Sequence, residues 1–89
     1  MPRVKVRFIS FTHLTDGEKE TFFDSVDVLD LLEKVKNRYE KMKEKAFNPK
    51  TGNLYPEFII TVNDRQVHDY STKLREEDVV SILPVFSGG

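Results

Sequence analysis

Between Val28 and Met42 the apolar residues recur as a single stripe. Val28, Leu31, Leu32, Val35, Tyr39 and Met42 fall at intervals of three and four, on one face of a 3.6-residue helix. A helix with one apolar stripe must bury it against a second layer, so this segment demands a partner surface elsewhere in the chain. Asp27 suits the N-cap, and Asp30 three residues on makes a box-like pair for the free N–H groups of the first turn. Acids gather at the start (Asp24, Asp27, Asp30) and bases at the end (Lys41, Lys43, Lys45), which complements the helix dipole. The pattern predicts one helix from about Val28 to Lys45.

The flanking segments change period. Arg3-Val4-Lys5-Val6-Arg7-Phe8 alternates charged and apolar residues, placing Val4, Val6 and Phe8 on one face of a strand. Thr15-Asp16-Gly17-Glu18 supplies turn chemistry, and Glu20-Thr21-Phe22-Phe23 returns as a second strand. Asn48 to Asn53, extending to Pro56, is loop by composition. Phe58-Ile59-Ile60-Thr61-Val62 is a β-branched strand, and Asn63-Asp64 closes a tight hairpin onto Arg65-Gln66-Val67-His68. Val79-Val80-Ser81-Ile82-Leu83 is the last strand, which Pro84 is expected to end by withdrawing a donor. Strand, strand, helix, strand, short strand, strand is an α+β order. It is that of a ubiquitin-like β-grasp, a mixed sheet of four to five strands packed on one main helix. Residues 1–89 are expected to form a single domain with a flexible C-terminal tail, 85–89.

Composition narrows the chemistry. The formal net charge is -1 with 33% charged residues, so no global positive charge is available for nucleic acid. There is no cysteine, which excludes disulfides, thiolate metal sites and a side-chain thiol nucleophile. No stretch has the length of a signal peptide's apolar region or a membrane span, and the chain reads as cytoplasmic, with neither membrane nor nucleic acid as partner. There is no Walker-type phosphate loop. His13 and His68 are isolated, and Asp16, Glu18 and Glu20 lack the spacing of a calcium loop, so no metal site is expected.

Several segments resemble the MoaD/ThiS family of β-grasp sulfur carriers, most of all its MoaD branch. Val28-Leu29-Asp30-Leu31-Leu32 with the later Arg38-Tyr39 is similar to that branch's helix motif. Val62-Asn63-Asp64 resembles its Val-Asn-Gly hairpin with Asp in the glycine's place. Lys73-Leu74, Asp78 to Pro84 and the terminal Ser87-Gly88-Gly89 match its final loop, strand and tail. Pro84-Val85-Phe86 stands where the family often has two prolines before an apolar residue.

The resemblance implies that Gly89 is adenylated by a MoeB-like (ubiquitin-activating-like) enzyme and then converted to a thiocarboxylate. Sulfur would next pass to the molybdopterin precursor, held by a MoaE-like large subunit of molybdopterin synthase. Gly88 and Ser87 would give the tail access, since residues without bulky side chains thread a narrow channel. Phe86, Val85, Leu83 and Ile59 would bind the partners from on or beside the sheet face that the helix leaves bare, with completion of the core or scattered exposure as the equal alternative for Leu83 and Ile59. No cofactor is held by the domain, which is not an enzyme alone; Mg-dependent ATP is used by the adenylating partner.

Other readings stay open. Gly89 could instead be conjugated to target-protein lysines, or serve tRNA thiolation or thiamine. The chain could also be a non-covalent interaction module whose glycines are a frayed end. Lys34, Arg38, Lys41 and Lys45 form a basic helix stripe, read as a solvated edge supported by local pairs such as Asp30 with Lys34.

Overall fold

Val4, Val6 and Phe8 are buried while Arg3, Lys5 and Arg7 point to the opposite side, so the alternation becomes strand β1 (Arg3–Phe8). The computed structural model describes residues 1–85. A 3₁₀ turn (Thr12–Leu14) follows, then β2 (Glu20–Asp24), α1 (Val28–Arg38), α2 (Glu40–Ala46), β3 (Phe58–Val62), β4 (Arg65–Gln66) and β5 (Val79–Pro84). The strands make one sheet in the order β2-β1-β5-β3-β4. β5 lies at its centre, parallel to β1 and antiparallel to β3.

The helical stripe covers one face of this sheet. Val28, Leu31, Leu32, Val35, Tyr39 and Met42 are all buried, in one core with Val4, Val6, Phe8, Ile60, Val80 and Ile82. The long β1–β2 connection also feeds this core. Phe11 and Leu14 are buried, and Phe11 meets Phe8 and Phe58 edge to face, with centroids 6.0 and 5.3 Å apart. At the turn before β2, Asp16 and Gly17 take φ of 55° and 84°, the left-handed geometry that the sequence there suggests.

The expected single helix is divided at Tyr39. Its backbone is extended (φ -121°, ψ 96°), between the end of α1 and the start of α2. The Tyr39 N–H still donates to Val35 O, and the Tyr39 carbonyl accepts from Lys43 N–H. The bend delivers a buried ring to Phe8, centroids 5.3 Å apart, and its hydroxyl to Glu18 Oε2 at 2.8 Å. No proline or glycine marks the break; tertiary contacts of one side chain accompany it.

Burial, then the Glu18 carboxylate, push the Tyr39 phenol up to about 12. The folded value stands above the unfolded one, near 10, so this contribution is complete below pH 10 and is lost as pH rises towards 12. One of the three tyrosines should therefore titrate near pH 12 in an ultraviolet absorbance titration. Tyr39→Phe should remove that transition, cost about 1 kcal/mol at neutral pH, and flatten the alkaline loss of stability.

Half of the box-like pair forms. Asp27 Oδ1 accepts from the Asp30 N–H (2.8 Å), whereas the Asp30 carboxylate turns to Ser25 Oγ (2.7 Å) and Lys34 Nζ (3.1 Å). The Ser25 hydroxyl, and then Lys34, hold the Asp30 carboxyl below its ordinary value.

Two strand limits also differ from expectation. Only Arg65 and Gln66 pair after the Asn63-Asp64 turn, with a further bond from Val67 N–H to Ile60 O (2.9 Å). Pro84 does not end β5. It lies opposite Phe58, and the Val85 N–H beyond it donates to Glu57 O at 2.6 Å. The alternation of the ladder turns the proline nitrogen away from β3 towards the β1 side, where the last bond runs from the Ile9 N–H to Ile82 O (3.0 Å), so the missing donor ends the pairing with β1 and leaves that with β3 intact.

Candidate functional site

The face of the sheet away from the helices can be read from the register. β5 presents Val79, Ser81 and Leu83 there, β3 presents Ile59 and Thr61, and β1 presents Arg3, Lys5 and Arg7. Leu83 and Ile59 are direct partners across the ladder, both half-buried. Across an antiparallel pair such side chains touch, and here no helix lies over them. Val85 continues the same side by alternation and is 47% exposed. Three of the expected partner-binding residues, Ile59, Leu83 and Val85, thus form one apolar strip at the C-terminal end of the central strand. Phe86, Ser87, Gly88 and Gly89 lie outside the described residues.

Two hydrogen-bonded devices fix the direction in which β5 leaves the sheet. At its start, Asn63 (φ 51°) donates from Nδ2 to Asp78 Oδ1 and accepts through Oδ1 from Val79 N–H, both at 2.9 Å. At its end stands the Val85–Glu57 bond. The Asn63-Asp64 turn, legible in the sequence as a hairpin, therefore also aligns the last strand.

The basic helix stripe behaves as a solvated edge. Lys34 is paired with Asp30, Arg38 lies 3.9 Å from Glu18 and 5.5 Å above the Phe23 ring, and Lys41 and Lys45 are exposed. Exposed pairs of this kind contribute a few tenths of a kcal/mol each, which is support for a helix rather than a site. His13 and His68 are both exposed. No group of three or more His, Asp or Glu side chains comes together among the described residues in a way that could hold a metal ion. No helix among them is long and apolar enough to cross a membrane.

Sequence reasoning passed over Arg3, Lys5 and Arg7, treating them as the polar half of an alternating strand. The available signal was that every outward position of β1 is basic.

A five-stranded mixed sheet on two helices, with its central strand running into Ser87-Gly88-Gly89, defines a ubiquitin-like carrier of the β-grasp class. The chain belongs to the ThiS family of such sulfur carriers, whose model matches residues 6–89. A candidate molybdopterin converting factor, subunit 1, from Pyrococcus furiosus is similar at 31% identity, covering 94% of this chain and 98% of that one, with a TM-score of 0.76. Subunit 1 or 2 in the protein–protein complex of molybdopterin-converting factor from Helicobacter pylori is 26% identical, with coverage of 98% and 99% and a TM-score of 0.68. The small archaeal modifier protein 1 of Methanosarcina acetivorans is 24% identical, with coverage of 100% and 98% and a TM-score of 0.86, a likeness of fold. No curated protein sequence matches the chain.

Proposed function

We propose that this protein is the sulfur-carrying small subunit of molybdopterin synthase. The observation that carries the reading is the 31% identity, over nearly the whole chain, to the Pyrococcus furiosus converting-factor subunit. The similarity to a chain of the Helicobacter pylori two-subunit complex supports a partner protein.

In this reading the sheet supplies the platform and Gly89 the chemistry. A carboxylate is a poor electrophile. A Gly89 carboxylate oxygen therefore attacks the α-phosphorus of ATP, Mg-dependent in the partner enzyme, and pyrophosphate leaves. Hydrosulfide from the sulfur donor adds to the acyl-adenylate carbonyl, AMP departs with the bonding electron pair, and loss of the sulfur-bound proton leaves the thiocarboxylate. Ile59, Leu83, Val85 and Phe86 seat the domain on its partners, while Ser87 and Gly88 let the tail enter the active site. The domain itself binds no cofactor and acts in the cytoplasm.

The molybdopterin role is tested by mixing the thiocarboxylated chain with the large synthase subunit and the sulfur-free pterin precursor. Formation of a dithiolene product with return of Gly89 to a carboxylate is the expected result. Absence of product, with Gly89 joined instead to lysines of other proteins in cells, would make the chain a protein modifier.

A further inference from the structure

Carboxylates hold some of the molecule's cations and leave others to solvent, Lys41 and Lys45 of α2 among the latter. On the helical side, Lys34, Lys36, Arg38 and Lys73 each have a carboxylate within reach: Asp30 at 3.1 Å, Glu33 at 2.8 Å, Glu18 at 3.9 Å and Asp27 at 3.9 Å. On the bare sheet face, Arg3, Lys5 and Arg7 follow one another along β1 at alternate positions, roughly 7 Å apart. Here the only ion pair among the described residues is Lys5 with Glu20, at 3.9 Å. Arg7 has none. Arg3 and Lys5 instead lie over the ring of Phe22, 4.8 and 5.8 Å from its centroid, and Phe22 is itself 47% exposed.

This row is continuous with the apolar strip. Arg7 stands beside Ser81 and Lys5 beside Val79, two and four residues before Leu83 on β5. Arg3, Lys5, Phe22 and Val79 also line a shallow cleft of about 360 Å³, closed at the Arg3 end by Glu76 and Glu77. The Glu76 carboxylate accepts from the Arg3 backbone N–H, and Lys5 has Glu20 within reach, so Arg7 is the cation of the row with fewest local partners among the described residues. Lys19, exposed at the foot of β2, adds a further positive charge near Arg7.

Resting on the carrier reading above, we propose that Lys5 and Arg7, with Arg3, are the cationic half of the docking surface, and that its occupant is a carboxylate-bearing surface of the enzyme that charges Gly89. The apolar strip supplies desolvated contact. The cations steer the encounter and set orientation on the sheet. Exposed charges act mainly on the rate of association and are screened by salt. That suits a partner from which the carrier must depart once it has been charged.

The test is equilibrium binding of the full-length chain to its cognate adenylating enzyme, with the intact mass of the carrier followed in parallel. Lys5→Glu/Arg7→Glu should weaken binding about tenfold or more, Lys5→Gln/Arg7→Gln less, and added salt should weaken the wild type but not the glutamate variant. Lys41→Glu/Lys45→Glu, the same charge change on the helical side, should bind as wild type does. Equal affinity for all variants, equal loss for the helix-side control, or no binding by the wild type would overturn the proposal. So would unchanged enzyme binding with wild-type retention on polyuridylate that Lys5→Glu/Arg7→Glu abolishes, an outcome that makes the row an RNA contact. Salt-dependent binding without an ATP-dependent mass change would uphold the dock and reject the sulfur-carrier chemistry.

Discussion

Removing Gly88 and Gly89 should abolish charging by the adenylating enzyme while the thermal midpoint stays within about 2 °C of the full chain. The two halves of this expectation have separate causes. Every buried core residue among those described lies upstream of Val85, and the final ladder bond, Val85 to Glu57, is retained when the chain stops at Ser87. Little buried apolar area is therefore lost. The chemistry, by contrast, needs a terminal carboxylate on a segment narrow enough to enter an active site, and a Ser87 terminus is two residues short of that position. Intact mass and calorimetry on the same sample check both halves. A non-covalent module would keep its function after the same truncation.

Phe8→Ala should cost about 3–5 kcal/mol, read as a fall in the urea midpoint with an unchanged slope. A chain of this size is stable by roughly 4–13 kcal/mol, so the loss is a large share of the total. The reason is position. Phe8 ends β1 opposite Ile82 of the central strand, meets Phe11 from the β1–β2 connection, and receives the Tyr39 ring at the break between α1 and α2. Truncation would leave three elements facing one cavity. Phe8→Leu, which keeps most of the volume, should cost well under half as much. Equal losses from both variants would mean that the edge-to-face geometry, rather than the filled volume, stabilises this junction.

The features that sequence revealed are those written locally. The alternation of Val4, Val6 and Phe8, the helical stripe from Val28 to Met42, and the turn residues Asp16-Gly17 and Asn63-Asp64 each depend on a few neighbouring side chains, and each is found where it was expected. The break at Tyr39 was illegible because the contacts that accompany it lie at Phe8 and Glu18, about twenty to thirty residues away in sequence. Pro84 was misjudged because a proline's effect depends on which side of the ladder its nitrogen faces, and that requires the register with Phe58. Ile59 and Leu83 were legible singly as strand residues on the bare face; that they are direct partners follows only from the pairing of β3 with β5. The row of Arg3, Lys5 and Arg7 was visible as a pattern but acquires meaning only beside the exposed Phe22 and the apolar strip.

The central claim is that Gly89 carries sulfur, and the most direct measurement is the intact mass of the chain after incubation with a cognate adenylating enzyme, ATP and a sulfur donor. The account predicts a gain equal to one sulfur replacing one oxygen, localised to Gly89 by fragmentation and absent when ATP is withheld. An unchanged mass, from an enzyme that charges another carrier under the same conditions, would contradict it.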